Sequence, residues 1–195
     1  MHTGVAVLAD THVPEQADAV PEPFRERTAA ADHVIHGGDF GPHEAVERVR
    51  DPNDDLTAVF GNADPADAQL PRVASADLGG LTVVVHGIVA LVERAVTSSE
   101  GVVTGDDEWL NAIGGVARAR AGANGVVGIG GHSHRTVDTI HDSVRVLNPG
   151  SATSVGPADR PRCSPYRHST VGCRSRSTRP EPPDSGGFLP AARVS

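Results

Sequence analysis

Five short runs rich in Val, Ile and Ala recur along the chain, and each closes on glycine and a polar residue. The runs are TGVAVLA (3–9), DHVIHGG (32–38), LTAVFGN (56–62), LTVVVHG (81–87) and GVVGIGGH (125–132). Runs of this length bounded by turn residues predict buried β-strands rather than helices. Helical patterns lie between them at 20–31, 41–51 and 106–122. Strands that alternate with helices predict a layered α/β domain with parallel strands.

The segment 136–151 departs from this alternation and predicts a β-hairpin. Its two apolar runs are separated by polar residues, which places the turn around His141, Asp142 and Ser143. The whole chain has 195 residues, a length that suits one domain with a full core. Aromatic residues make up only 3%, so Val, Leu, Ile and Ala must build that core.

The charge of the chain limits its partners. The formal net charge is −8, and every basic residue is arginine. A phosphate backbone attracts a basic surface, so we expect no nucleic-acid platform. An acidic surface suits high salt, which predicts a salt-adapted source. We also expect a cytoplasmic protein without a membrane segment, because the start lacks a signal-peptide pattern and the longest apolar stretch, 81–92, is too short to span a bilayer.

Residues 158–195 differ from the rest of the chain. They are dense in Pro, Ser, Gly and Arg, whereas nearly all acidic residues lie before them. Both cysteines, Cys163 and Cys173, lie in this segment. Residues 1–157 hold no cysteine, which excludes a thiolate zinc site there. The composition predicts a folded domain over residues 1–157 and a disordered basic tail over 158–195, which looks like a change of reading frame or an unrelated extension.

Polar side chains stand where the predicted strands end. They are Asp10, His12, Asp39, Asn62, His86, His132 and His134. In open α/β sheets, ligands bind beyond the carboxyl ends of the strands, so we expect these groups at one sheet edge. Nitrogen and oxygen donors without sulfur suit Mn²⁺, Fe, Zn²⁺, Ni²⁺ or Co²⁺ better than Ca²⁺. Seven donors exceed the need of one ion and suffice for two if one carboxylate bridges.

Five motifs carry a resemblance to a known family. DTH (10–12), GGDF (37–40), GNAD (61–64), HG (86–87) and GHSH (131–134) stand in the order of the calcineurin-like metallophosphoesterases. The chain most resembles the small single-domain prokaryotic phosphodiesterases of that superfamily, and NPGS (148–151) also matches them. The resemblance covers residues 3 to about 155. It implies a four-layer αββα sandwich of two mixed sheets flanked by helices.

The resemblance also implies a dinuclear metal site. Asp10, His12 and His134 would hold the first ion, and Asn62, His86 and His132 the second. Asp39 would bridge the ions, and catalysis would depend most directly on Asp39, Asn62 and His132. Since residues i and i+2 of an extended segment share a face, one segment can supply both His132 and His134. Two divalent ions, Mn²⁺ first and Ni²⁺, Fe²⁺, Zn²⁺, Co²⁺ or Mg²⁺ as alternatives, would generate a hydroxide for in-line attack on phosphorus.

Two departures from the family shape the expected function. Some relatives carry a histidine after the Asn of the third motif as a candidate acid, whereas this chain has Ala63. A leaving group of low basicity should then be favoured, which predicts a small phosphodiester as substrate. The subgroup also adds one or two strands after NPGS, and the basic tail stands there instead. That difference predicts an unpaired sheet edge.

Alternatives to the phosphodiesterase hypothesis remain. A phosphomonoester phosphatase would use the same site, and a catalytically silent scaffold would keep only the fold, although scaffolds tend to lose ligands that this chain retains. Self-association as a homo-oligomer is also open. Asp64, followed by Pro65, is predicted to cap a helix rather than to act in the site. His36 is expected to pack beside its strand and His43 to lie near the site mouth, while Asn148 and Gly150 are expected to shape the loop beneath the metals.

Overall fold

The computed structural model describes residues 4–53, 55–87, 106–153 and 164–167. In chain order the elements are β1 Gly4–Leu8, α1 Glu22–Ala29, β2 His33–His36, α2 His43–Arg50, β3 Leu56–Ala58, β4 Val73–Leu78, β5 Leu81–His86, α3 Asp106–Arg118, β6 Val126–Ile129, β7 Thr136–His141, β8 Val144–Pro149 and β9 Ser164–Arg167. Strands and helices alternate through the first half, as the sequence predicts. None of the helices in these ranges combines the length and apolar character needed to cross a lipid bilayer.

The strands form two mixed sheets. The first has the order β3-β2-β1-β9, and the second has the order β4-β5-β6-β8-β7. β1, β2 and β3 are parallel, as are β5, β6 and β8, whereas β9, β4 and β7 pair antiparallel with their neighbours. This topology places the carboxyl ends of the parallel strands of each sheet on one side.

The core lies between the two sheets. Alternate residues of each strand point inward, because successive side chains of a strand face opposite sides. The buried set between the sheets is Val5, Val7, Ile35, Val59, Val83, Val85, Val127 and Ile129. Branched aliphatic side chains thus fill the layer that aromatic residues fill in many domains.

The helices cover the outer faces of the sheets. Phe24 of α1 packs against Ala6, Leu8 and Val34 of the first sheet. On the other side, Trp109, Ile113 and Ala117 of α3 pack against Val84 and Val146 of the second sheet. The result is the predicted four-layer αββα sandwich.

Glycines in and after β6 allow α3 to approach the second sheet closely. A Cβ at Gly128 would lie 2.9 Å from Cγ2 of Ile113, and one at Gly130 would lie 2.5 Å from Cδ1 of Ile113. Both distances are shorter than the packing of ordinary side chains permits. The unusual glycine content of GVVGIGGH therefore follows from helix packing as well as from the turn that ends the run.

Two hairpins bear on the sequence predictions. The predicted hairpin is confirmed: β7 and β8 pair from Thr136 to Pro149, and Asp142 and Ser143 have φ of 45° and 67°, as a primed turn requires. Strand β4 was not predicted. It pairs antiparallel with β5 through a turn at Gly79 and Gly80, and its sequence VASADL holds only one β-branched residue, which hides the strand.

The structure differs from the predicted disordered tail in one segment. Ser164–Arg167 forms β9, which pairs antiparallel with β1 from Gly4↔Arg167 to Val7↔Ser164. β1 pairs with β2 on its other side, so β9 occupies the sheet edge that the sequence predicted to be unpaired. Pro165 is compatible with this place, because proline is tolerated in edge strands. The other residues of the predicted tail lie outside the described ranges.

Candidate metal centre

The loops that follow β1, β2 and β6 meet at one end of the sandwich. The Asp10 amide donates to the Gly38 carbonyl over 3.0 Å, and the His12 amide donates to the Asp39 carbonyl over 3.1 Å. The His132 amide in turn donates to Oδ1 of Asp10 over 2.7 Å. The backbone of each loop is therefore held by the next, and four predicted ligands take part in the connections.

Asp10, His12 and His134 form the first ligand cluster, which we call the buried group. Their ligand atoms all lie within 4.8 Å of one another. Nε2 of His12 is 3.2 Å from Nε2 of His134, which is 3.6 Å from Oδ1 of Asp10. Asp10 and His12 are almost wholly buried. Two imidazole nitrogens and a carboxylate oxygen facing one another are a donor set that suits a divalent transition metal.

Asn62 and His132 form the second cluster, which we call the open group. Oδ1 of Asn62 lies 2.6 Å from Nδ1 of His132, and Asn62 is exposed to solvent. His86, the third residue predicted for this position, ends β5 beside β6. Within the described residues, no hydrogen bond joins His86 to another predicted ligand. The structure thus assembles five of the seven predicted ligands into two clusters.

Asp39 lies between the two groups. Its charge raises the pKa of Asp10 in addition to the effect of burial, and it opposes the lowering of the pKa that burial causes at His12 and His132. Oδ1 of Asp39 also accepts a hydrogen bond from the Ala63 amide over 2.7 Å. Gly61 is required beside it, because a Cβ there would overlap the Asp39 carboxylate. Asp39 thus acts electrostatically on residues of both groups, and its bridging role stays a prediction.

Three buried side-chain atoms in the described part of the chain have no hydrogen-bond partner: Oδ2 of Asp10, Nδ1 of His86 and Nε2 of His132. All three belong to predicted ligands. Leaving a buried polar atom unpaired costs about 1–3 kcal/mol, so such atoms are rare unless something else satisfies them. Their chemistry fits a divalent cation, since each can offer a lone pair.

Three histidines of the centre have a lowered pKa. Burial lowers the pKa of His12, His86 and His132, and Arg120 and Arg72 add to the lowering at His86. Only a neutral imidazole can bind a metal, so a low pKa makes the lone pairs available at neutral pH. Burial also raises the pKa of Asp10 well above its ordinary value, which shows how much this pocket favours a compensating cation.

Five predicted ligands have an unusual backbone. Positive φ values are found at Asp10 (52°), His12 (46°), Asp39 (60°), His132 (74°) and His134 (55°). Non-glycine residues in this region are strained and persist only where the surrounding structure holds them. Such strain concentrates at functional sites, and here it coincides with the residues that the motifs select.

Asp64 has a different role from the one predicted. No helix lies between it and β4. Its carboxylate accepts amide hydrogens from Asp39 (2.9 Å), Phe40 (2.6 Å), Gly41 (3.1 Å) and Gly61 (2.7 Å). The side chain therefore ties the loop that carries Asp39 to the loop that carries Asn62. Burial raises the pKa of Asp64 to about 6, although the amides of Gly61 and Gly41 oppose the shift. The one signal in the sequence is the place of Asp64 in GNAD (61–64), one of the five motifs.

The remaining predicted residues support the loops. Asn148 accepts the Gly150 amide over 2.8 Å and donates to the Gly131 carbonyl over 3.1 Å, so it shapes the loop beneath the centre as expected. His36 is fully buried and stacks on Phe40. His43 begins α2 and forms an exposed pair with Asp67 at 2.9 Å.

Comparisons with known proteins agree with the geometry. The model of the calcineurin-like phosphoesterase superfamily domain matches residues 4–166, a stretch that includes most of β9. A probable metallophosphoesterase of Methanocaldococcus jannaschii is 29% identical over 161 residues, which cover 82% of this chain and 70% of that protein.

Two solved structures illustrate the likeness of fold. Wild-type Vps29 of Entamoeba histolytica, in complex with Zn²⁺, is 23% identical with a TM-score of 0.59, over 82% of this chain and 81% of that chain. A novel archaeal phosphodiesterase is 21% identical with a TM-score of 0.51, over 80% of this chain and 88% of that chain. At these identities the likeness shows the fold alone.

Proposed function

Because the chain belongs to the calcineurin-like phosphoesterase superfamily, we propose that it hydrolyses a small phosphodiester at a centre of two divalent metal ions. The observation that carries the proposal is the set of three unpartnered buried atoms, which all belong to motif residues. The description of one structural neighbour as a phosphodiesterase supports the choice of a diester.

The ligand assignment follows the two clusters. In this proposal Asp10, His12 and His134 hold one ion, and Asn62, His86 and His132 hold the other. Asp39 serves both, since its charge acts on residues of each group. Two such ions supply an acidified water and neutralise the charge that develops on a phosphoryl group. Mn²⁺ is our first choice, because nitrogen and oxygen donors are mixed.

The chain's own residues then determine which esters can react. The neutral imidazoles of His12, His86 and His132 keep their lone pairs for ligation. Asn62 is exposed, so the open group borders the solvent from which a substrate enters. Ala63 offers no proton to a leaving group at the position where some relatives carry histidine. A diester with a weakly basic leaving group needs that proton least, which is why we favour it over a monoester.

The test compares two chromogenic esters. Purified protein is stripped of metal and then given Mn²⁺, Ni²⁺, Zn²⁺, Mg²⁺ or none, with bis(p-nitrophenyl) phosphate or p-nitrophenyl phosphate as substrate. We expect turnover only with metal and a higher kcat/KM for the diester. Asp39→Asn should lose more than about 100-fold in activity, the upper range for residues that only support ligands.

The matched control is Asp138→Asn, which changes an exposed acid on β7 paired with Arg145. It should retain full activity. A higher kcat/KM for the monoester would favour the alternative, a phosphomonoester phosphatase, over the phosphodiesterase. Stoichiometric metal binding without turnover on either ester would identify a silent scaffold, and failure to bind any metal would refute the proposal.

A further inference from the structure

The peptide unit that joins Gly131 to His132 is held at both of its ends. Its carbonyl oxygen accepts the indole Nε1–H of Trp109 over 2.9 Å and Nδ2–H of Asn148 over 3.1 Å. Its N–H donates to Oδ1 of Asp10 over 2.7 Å. The same carbonyl also accepts the Ser133 amide over 3.0 Å, so one bond within the loop and two side-chain bonds from α3 and β8 hold it.

The Ser133 bond lies within the loop itself, whereas the bonds to Trp109, Asn148 and Asp10 tie this peptide to other elements of the fold. Gly131 has no side chain, and a Cβ there would lie 2.8 Å from Cβ of Ala9, so glycine is required. His132 and His134 follow with φ of 74° and 55°, a backbone that costs about 1–3 kcal/mol at each residue and persists only where it is held. A rotation of the Gly131 peptide would turn His132 away from Asn62.

Trp109 is placed to provide that support. Its side chain is almost wholly buried in the cluster between α3 and the second sheet. Gly130 leaves room for the ring, since a Cβ there would lie 3.2 Å from Cζ2. Buried tryptophan usually finds an acceptor for its N–H, and many carbonyls could serve. Here the acceptor is the residue directly before a predicted ligand.

We propose that Trp109 is a positioning residue for the metal centre, which orients His132 and His134 by fixing the Gly131 carbonyl. The proposal rests on the proposed metal-dependent function.

A second consequence follows from the same peptide. Asp10 and Trp109 lie at its two ends, and hydrogen bonds in series polarise one another. A cation bound by Asp10 should therefore change the environment of the indole N–H.

The competing explanation is that Trp109 only fills the core. Removing the N–H while keeping the ring separates the two. The chain has a single tryptophan, so growth with the isosteric analogue 3-benzothienylalanine, in which sulfur replaces N–H, changes this position alone. Trp109→Phe is the second variant, and it also keeps an aromatic ring. Zn²⁺ is the probe, because this d¹⁰ ion has no redox chemistry.

Calorimetry provides the first measurement. Wild-type protein and both variants are titrated with Zn²⁺, and circular dichroism establishes that each is folded. We expect the affinity to fall about tenfold in the variants, the lower range for groups that orient ligands. Ile113→Val is the matched control: it trims the same helix against the same strand without touching a hydrogen bond. It should lower the melting temperature and leave the Zn²⁺ affinity unchanged.

Fluorescence provides the second measurement. Addition of Zn²⁺ to wild-type protein should shift or quench the Trp109 emission with the same midpoint as the calorimetric titration. Asp10→Asn should abolish the emission change. An emission that stays constant while Zn²⁺ binds would refute the transmitted effect.

The outcomes separate the two proposals. If wild-type protein binds neither Zn²⁺ nor Mn²⁺, the proposed function fails, and positioning fails with it. If wild-type protein binds Zn²⁺ and the benzothienyl protein binds it with equal affinity, only the positioning role is refuted. Equal losses of affinity in the variants and in Ile113→Val would also refute it, because packing alone would then explain the effect.

Discussion

The buried group and the open group lie side by side in one centre, yet they are held in different ways. Asp10 and His12 are enclosed by loops that bond to one another and to the segment after β8, where Ser151 donates to the Asp10 carbonyl over 2.9 Å. Asn62 is exposed, and the loop that carries it is held chiefly by the carboxylate of Asp64.

This difference teaches how such a centre can combine tight binding with access. Ligands fixed before an ion arrives need little reorganisation, which favours affinity. Ligands at the surface permit a substrate to reach the ion that they hold. We therefore expect the ion of the buried group to bind more tightly than that of the open group.

The largest expected effect comes from removing one ligand from each group. His12→Ala should weaken retention of the buried-group ion by more than about 100-fold, because it removes a direct ligand. Asn62→Ala should release only the ion of the open group. Elemental analysis after dialysis measures both. If Asn62→Ala loses all its metal as readily as His12→Ala, the two groups do not differ in how tightly they bind their ions.

Asp64→Asn should have the next largest effect. The Asp64 carboxylate accepts four backbone N–H groups with two oxygens, whereas an asparagine side chain has only one acceptor oxygen. The NH₂ group of asparagine would face the remaining N–H donors. We expect metal affinity at the open group to fall about 10- to 100-fold, with a smaller loss at the buried group. Calorimetry measures both affinities. Asp67→Asn, an exposed acid of the same loop, is the control and should bind like wild type.

A pH titration of stability tests the support beneath the buried group. Nδ1 of His36 accepts the Gly38 amide, so Nε2 carries the proton and faces Thr11. Burial, with a smaller effect from His12, lowers the pKa of His36 to about 3. Below pH 6.5, His36 therefore binds a proton in the unfolded chain but stays neutral in the native chain. The native state loses stability as the pH falls. The loss through His36 should reach about 2 kcal/mol at pH 5.

The measurement is urea unfolding of metal-free protein between pH 8 and pH 5. His36→Gln replaces the imidazole with a neutral amide, so its free energy of unfolding should fall less steeply. Every other histidine is present in both proteins, so the difference between the two curves reports the replacement of His36. Parallel curves for the two proteins would show that His36 does not contribute.

The smallest expected effect concerns the backbone. His12 has a φ of 46°, so His12→Gly should be more stable than His12→Ala by about 1 kcal/mol. Asn62 is not among the residues with positive φ, and Asn62→Gly should be no more stable than Asn62→Ala. Thermal unfolding of the four variants compares the groups directly. Equal differences at both positions would mean that strain does not distinguish them.

The sequence predicted most of the fold and the clustering of ligands, because both follow from local patterns. Asp10, Asp39 and His132 follow strands β1, β2 and β6 and meet at one end of the sandwich, although two sheets contribute and not the one sheet edge that the sequence predicted. Other features depend on contacts between distant segments. Strand β4 has few residues of high β-propensity, and β9 is recognisable only when the free edge of β1 is known. The four hydrogen bonds that Asp64 accepts and the hydrogen bond from Trp109 to the Gly131 carbonyl likewise arise from tertiary packing, which no local pattern encodes.

The left-handed backbone of the ligands has a consequence for engineering. Glycine would relax the chain at Asp10, His12, Asp39, His132 and His134, and each such change would remove a donor from the centre. A library screened for thermal resistance alone would therefore enrich variants without the metal centre. Selection of thermostable variants of this protein therefore has to include a measurement of metal binding, because stability and function favour different residues at these five positions.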